Sequence, residues 1–395
     1  MKIAILHYAV PPVIGGVEST IGAHARLLRA HGATVQLIAG RGDDALLIPE
    51  MDSRHPRVQA VQRELNRGNV TDEFHALTQT LYAALQKALG AAEVVIAHNM
   101  VTLHKNLALT AALHQLTETR QIKLFAWCHD FAWDDPVYAN DLHHGAPWDL
   151  MRCAWANTKY VVVSASRQHD LARLLQIKPD EIAVMPPGID AREFFQVSET
   201  TARWIAALHL LDAAPLLLLP ARVTRRKNIE LAIDIVKAWC DHNDTPKLLV
   251  MGPLGPHNPA NRAYLDELKT RAGDNILFLQ EYASVDDATR RDLYALADAL
   301  LFPSAREGFG IPILEAGLAR LPIFCADIPP FRETAREFAH YFTLDEAPSR
   351  IAARMAEFFA ADARYQLKQR VRQNYLWEHI FFARLKPLLD AYANS

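Results

Sequence analysis

The segment whose residue types and spacing point most directly to chemistry is Pro303-Ser304-Ala305-Arg306-Glu307-Gly308-Phe309-Gly310-Ile311-Pro312-Ile313-Leu314-Glu315-Ala316. It follows an apolar run, passes through a loop with two glycines and enters a helical pattern. Pro312 falls in the first turn, where a missing N–H is no loss. Gly308 and Gly310 let the backbone come close to a ligand, and a helix start offers unpaired N–H groups to an anion. Glu307 in the loop and Glu315 one turn into the helix add two carboxylates beside that anion site. Such a combination suits a ligand carrying both phosphates and hydroxyl groups, the latter on a sugar and a ribose. Read alone, the same segment also fits a surface loop followed by an ordinary helix. A second candidate is His129-Asp130, placed directly after the apolar run that ends at Cys128. In open α/β sheets, ligands gather where strand C-termini meet helix N-termini.

The elements that position these residues follow a repeated rhythm of short apolar runs and longer helical patterns. In the first half the expected strands are Lys2–Leu6, Thr34–Ala39, Glu93–Ala97, Lys123–Trp127, Tyr160–Val163 and Ile182–Met185. Helices are expected over Glu18–His31, Glu73–Leu89 and Ala165–Leu175. The second half restarts with strands Leu216–Leu219, Lys247–Met251, Asn275–Leu279, Ala299–Phe302 and Pro322–Cys325. Its helices are expected over Asn228–His242, Ala260–Ala272, Asp287–Leu296 and Pro312–Ala319. Strands rich in Val, Ile and Leu without strict alternation are those covered on both faces, as in parallel sheets with crossover helices. The 395 residues, half of them apolar, suit two α/β domains better than one core. The linker is expected near Pro186–Asp190, and a bulky amphipathic helix over Tyr375–Ala393 closes the chain.

Composition removes other classes. With 42 basic and 45 acidic residues the net charge is -3, unlike a protein that coats nucleic acid. Four scattered cysteines give neither a disulfide framework nor a zinc spacing, so a cytoplasmic location is expected. Ile3–Leu6 is too short for a signal peptide, and no run of about 18 apolar residues predicts a membrane span. Peripheral contact with a bilayer stays open.

Glu307-x7-Glu315 within Glu-Gly-Phe-Gly-Ile-Pro-Ile-Leu-Glu-Ala resembles the signature of the family 4 retaining glycosyltransferases (glycosyl transferases group 1). The likeness covers most of the chain. Pro11-Pro12-Val13-Ile14-Gly15-Gly16-Val17-Glu18 is similar to the family's glycine loop. Ala221-Arg222-Val223-Thr224-Arg225-Arg226-Lys227-Asn228 is similar to its Arg…Lys phosphate clamp. Pro187-Gly188-Ile189-Asp190 with Phe194 is similar to its interdomain segment, except that Pro187 stands where an Asn is usual. Trp377-Glu378 resembles its C-terminal helix. The resemblance implies the GT-B fold: two Rossmann-like, doubly wound parallel-sheet domains facing across a cleft, the C-terminal helix crossing back. The domains would be 1–190 with about 376–395, and 191–375.

It also implies roles. Arg222 and Lys227 would clamp the diphosphate of a nucleotide-sugar donor, while Arg225 and Arg226 read as a solvated turn. Gly15 and Gly16 would approach the same phosphates from the other domain. Glu315 would hold the ribose and Glu307 the donor sugar, with Gly308, Phe309 and Gly310 adding backbone contacts and Tyr282 bordering the base. His129 resembles the family's active-site histidine. Asn99 beside His98, Asp130 and Trp133 are acceptor-side candidates. The aromatics Phe131, Trp133 and Tyr138 form either an acceptor platform or lid packing.

The implied reaction moves a glucose- or mannose-type hexosyl group from a UDP- or GDP-sugar to the hydroxyl of a sugar, glycerate-type molecule or glycolipid, with retention. No cofactor is implied and no metal: there is no Asp-x-Asp pair, and Arg222 with Lys227 supplies the positive charge. A hydrolase would set two acids across one bond, but one glutamate here belongs to ribose. Rival readings are a sugar phosphorylase or nucleotide-sugar epimerase on the same fold, and a non-catalytic nucleotide-sugar-binding protein.

Overall fold

Strand β1, Lys2–His7, buries Ala4 and Leu6 in one apolar cluster and Ile3 and Ile5 in another. Alternate side chains of a strand point to opposite faces, so both faces of its sheet are covered. This is why the strand reads as a continuous apolar run. The computed structural model describes residues 1–119, 122–240, 245–256 and 258–393. Residues 120–121 of the stretch His104–Lys123, Asp241 and His242 of the expected helix Asn228–His242, and residues 394–395 lie outside the described residues.

The described residues form two compact units. The first comprises residues 1–188 and the segment from Trp377 onward. Its strands are β1, β2 (Thr34–Ala39), β3 (Ala45–Leu47), β4 (Val94–His98), β5 (Leu124–Cys128), β6 (Thr158–Val162) and β7 (Ala183–Val184). They pair in parallel in the order β3-β2-β1-β4-β5-β6-β7. Strand order reverses between β1 and β4, where Leu6 lies beside Ala97. A ligand-binding crevice forms at such a switch point.

The second unit, Ile189–Leu376, repeats the scheme. Strands β8 (Leu216–Leu219), β9 (Lys247–Val250), β10 (Ile276–Phe278), β11 (Ala299–Phe302), β12 (Ile323–Ala326) and β13 (His340–Phe342) are parallel in the order β10-β9-β8-β11-β12-β13. The switch falls between β8 and β11. Two Rossmann-like α/β sheets are therefore present, as expected of the GT-B fold.

The C-terminal segment belongs to the first unit. Trp377, Ile380, Phe381, Leu385 and Leu389 bury against Ile3, Ile5, Phe125 and Trp127. The single helix expected over Tyr375–Ala393 is broken into Trp377–Ile380, a wide turn over Phe381–Leu385 and Lys386–Ala393. Pro387 explains the interruption: it has no N–H to donate, and a widened turn just before it absorbs the mismatch. The three-residue edge strands β3 and β13, and the helices Pro56–Leu65, Glu199–Ala207 and Pro348–Ala361, were not anticipated. Three residues are too few to show a period of two.

Candidate active site

In the second unit, the two strands at the switch point deliver the charged residues. After β8 the chain turns through Arg225–Lys227, closes with Asn228 in the left-handed region (φ 50°) and starts helix Ile229–Cys240. After β11 it passes Pro303–Gly310 and enters helix Ile311–Leu318. The loops are stitched together by the backbone N–H of Ala305, which donates to the carbonyl of Arg226 at 2.9 Å. Lys227 then donates to Oε1 of Glu307, and Arg226 Nη1 donates to Oε2 at 3.1 Å. Lys227 and Glu307 are each only 10% exposed at the side chain. Burial holds the Lys227 ammonium below its usual range, with Glu307 pulling the other way. Arg222, the other half of the expected clamp, is exposed and makes no side-chain hydrogen bond or ion pair among the described residues. It is free to meet a ligand.

One expectation needs correcting. Arg226 is not merely a solvated turn residue; it shares Glu307 with Lys227 and also donates to the carbonyl of Arg306. Arg225 does turn outward, pairing with Glu267 at 2.7 Å and lying over Tyr264. In a tight turn, successive side chains fan about 120° apart, so adjacent arginines separate.

Gly310 has φ 97°, and a Cβ there would come within 2.9 Å of the Phe331 ring. Glycine is required on both counts. Gly308 faces open space, and Phe309 is half exposed. One turn on, Glu315 accepts from Arg290 Nη1 at 3.0 Å and from the Tyr294 hydroxyl at 2.6 Å. Both partners sit on one face of helix Asp287–Leu296, at i and i+4. Together with Phe195 and Leu318 they line a cavity of about 580 Å³. Arg290 and Tyr294 were missed from sequence; their spacing signals a shared helix face only once the neighbouring helix is known. Tyr282 is half exposed in the loop after β10, with no described contact to Glu307 or Glu315.

In the first unit, β1, β4 and β5 each end at or just before a histidine. His7 Nδ1 donates to the carbonyl of His98 at 2.7 Å, and His98 Nδ1 lies 3.2 Å from His129 Nε2. Asn99, left-handed at φ 56°, accepts at Oδ1 from the N–H of His129 (2.9 Å) and of Asp130 (3.1 Å). Its Nδ2 donates to Asp130 Oδ2 at 3.0 Å. Asn99 thus clamps the His129-Asp130 turn with both ends of its amide. Asp130 remains exposed. Trp133 stands apart: its described partners are the carbonyl of Trp148, the His144 ring and the Arg152 guanidinium. Phe131 is buried in the core and cannot serve as an open platform. Gly15 and Gly16 begin helix Gly16–Ala30, where the Glu18 carboxylate folds back over Gly15 and Gly16 faces open space.

Burial lowers the pKa of the histidines clustered at these strand ends, His7 and His129 to about 4 and the neighbouring His24 to about 3, with His98 also well below its usual value. A histidine kept neutral when folded takes up its proton first in the unfolded chain. Its stabilisation is therefore complete above about pH 6.5 and is lost as pH falls toward 4. The slope is up to about 1.4 kcal/mol per pH unit for each such histidine. The melting temperature is expected to fall steeply over that window and less steeply in a His24→Leu variant. An unchanged slope would exclude His24, whose two ring nitrogens are buried without a partner among the described residues.

Among the described residues no group of three or more His, Cys, Asp or Glu side chains is placed to hold a metal ion, and no helix is long and apolar enough to cross a membrane.

With this geometry in hand, two family models account for most of the chain. Residues 14–193 match Glycosyltransferase Family 4, and residues 202–375 match Glycosyl transferases group 1. The chain belongs to this glycosyltransferase family. The glycosyltransferase is similar to mannosylglucosylglycerate synthase of Thermotoga maritima, with 25% identity over 84% of this chain and 82% of that one. It is also similar to the O-antigen chain mannosyltransferase RfbU of Salmonella typhimurium, with 27% identity over 51% of each chain. Among solved structures, sucrose-phosphate synthase from Thermosynechococcus elongatus aligns over the full length of both chains at 16% identity and a TM-score of 0.40.

Proposed function

We propose that this glycosyltransferase moves a glucose- or mannose-type hexosyl group from a nucleotide diphosphate sugar to an acceptor hydroxyl with retention at the anomeric carbon. The observation that carries the reading is the partly buried Lys227–Glu307 pair at the switch point of the second sheet. Lys227 and the unpaired Arg222 would neutralise the diphosphate as it leaves, and fixed cations in a partly dry site do this well. Glu307 would exchange its cation partners in part for hydroxyls of the donor sugar. Glu315 would take the ribose, the backbone of Gly308, Phe309 and Gly310 the phosphates or sugar, and Tyr282 the side of the base. From the first unit, Gly15 and Gly16 would add backbone donors to the phosphates. His129 would meet the donor sugar, with Asp130, Asn99 and Trp133 on the acceptor side.

In the step itself the bond from the anomeric carbon to the phosphate oxygen breaks and the bond to the acceptor oxygen forms on the same face. The acceptor proton passes to the departing phosphate, so no side chain has to become covalently attached and no metal is needed. The activities of these relatives, mannosyl transfer and the synthesis of mannosylglucosylglycerate, favour a mannose- or glucose-type donor. The first of them, which is similar to this chain over most of its length, supports a glycerate-type acceptor over a sugar or glycolipid. Proton NMR of the anomeric signal in the first-formed product tests the stereochemistry. The donor configuration is expected to persist; inversion would overturn the proposed step.

A further inference from the structure

The ring of His98 is fully buried, stacked on Trp127 with centroids 5.2 Å apart, and its backbone carbonyl is held by His7. It has two nitrogens and a single partner. Nδ1 faces His129 Nε2 at 3.2 Å, whereas Nε2 is buried with no partner among the described residues. Neutral imidazole carries one proton, so the contact can be made in two ways. If His129 donated from Nε2, the His98 proton would sit on its own Nε2 as an orphaned, buried N–H. If His98 donates from Nδ1, only a bare acceptor is left buried. Among buried backbone groups an N–H without a partner is rarer than an under-satisfied acceptor, and we extend that preference to the ring nitrogens here. That preference favours the second arrangement, which would also set the state of His129. With Nε2 accepting, the His129 proton must reside on Nδ1, the nitrogen without a partner among the described residues.

We propose that His98 is a positioning residue that fixes His129 as the Nδ1–H tautomer, so that His129 presents a hydrogen-bond donor, not a base, to the ligand. The tautomer of a histidine is set by the bond that its other nitrogen makes. Three further contacts hold the pair in register: Asn99 clamps the His129 backbone, Thr102 Oγ1 donates to the carbonyl of Asp130 at 2.7 Å, and Trp127 fixes the ring plane of His98. The low pKa of both histidines, caused first by burial, keeps the pair neutral near pH 7. A donor at this place would bind a sugar hydroxyl oxygen and leave the acceptor proton to the phosphate. The functional part of this inference rests on the proposed role of His129; the tautomer does not.

Long-range proton–nitrogen correlation on the full chain with 15N-labelled histidine, near pH 7, reads the tautomer directly, and His129→Asn assigns the signal. A His129 pattern with the proton on Nδ1 is expected. A proton on Nε2, or rapid averaging between the two, would overturn the proposal without any His98 variant having to fold. The same spectrum of His98→Leu should show His129 released to a mixture, with kcat lowered roughly tenfold, about one hydrogen bond, and donor KM little changed. His98→Asn, which places an N–H near the position of Nδ1, should restore both. Loss of kcat in His98→Leu with the Nδ1–H pattern intact would contradict the assignment. A shifted tautomer with full activity would instead remove His129 from the reaction and leave the tautomer claim standing.

Discussion

Replacing Lys227 by alanine is expected to lower transfer about 100-fold or more while leaving the melting temperature within a few degrees of the parent. The size of the effect comes from where the ammonium sits. It is nearly buried against Glu307 and lies over the Phe302 ring, where a charge is weakly screened. Removing one fixed group that stabilises developing charge costs roughly 3–4 kcal/mol of transition-state free energy. The fold should survive because Glu307 is not left alone: Arg226 still donates to its Oε2. Arg225→Ala is the matched control, two residues away but paired outward with Glu267 on the surface, where such a pair contributes little. Steady-state assays of the two variants side by side decide the matter. Near-parental turnover in Lys227→Ala would remove the phosphate clamp from the account.

The largest effect on stability is expected from Asp298→Ala. This carboxylate is fully buried at the start of β11. Its Oδ2 accepts from the N–H of Leu216 and from Arg372 Nη1, each at 2.8 Å. Lys368 Nζ lies 2.7 Å from Oδ1 in an ion pair without the direction of a hydrogen bond. Both cations also donate to the carbonyl of Leu296, so helix Ala363–Asn374 is tied to the end of the helix that precedes β11. Taking away the carboxylate strands the buried Arg372 and one strand N–H at once. Breaking a buried ion pair from one side costs about 3–5 kcal/mol. For a unit of this size that corresponds to a drop of roughly 6–20 °C in melting temperature. Thermal denaturation measures it, and a fall of less than about 2 °C would mean that the cluster is poorly paired in solution.

The two cases differ in how far the sequence reveals them. Lys227 and Glu307 are legible because their loops follow apolar runs and the Glu-x7-Glu spacing carries a recognisable resemblance. His129 is legible for the same reason, as a residue following a buried strand. Arg226 is not, because three consecutive cations look like a solvated turn until the turn's geometry shows which of them points inward. Arg290 and Tyr294 are hidden for a related reason. Their i, i+4 spacing defines a face, but only helix packing shows that Glu315 lies opposite it. The Asp298 cluster joins residues about seventy positions apart, and no local pattern announces it. The sheets themselves were largely readable, since strands buried on both faces need continuous apolar runs. Their short edges β3 and β13 were not, and neither was the break that Pro387 introduces into the last helix.

The central claim, that the second unit holds a nucleotide-sugar site built on Lys227, Glu307 and Glu315, is tested most directly by thermal shift. The panel is UDP, GDP, ADP and their common sugar conjugates, without added metal. A ligand present at 100 times its Kd stabilises by about 2.7 kcal/mol, or several degrees for a unit of this size. One base, with or without its sugar, is expected to give such a shift, and Glu315→Ala should abolish most of it. No shift with any nucleotide on well-folded protein would contradict the account.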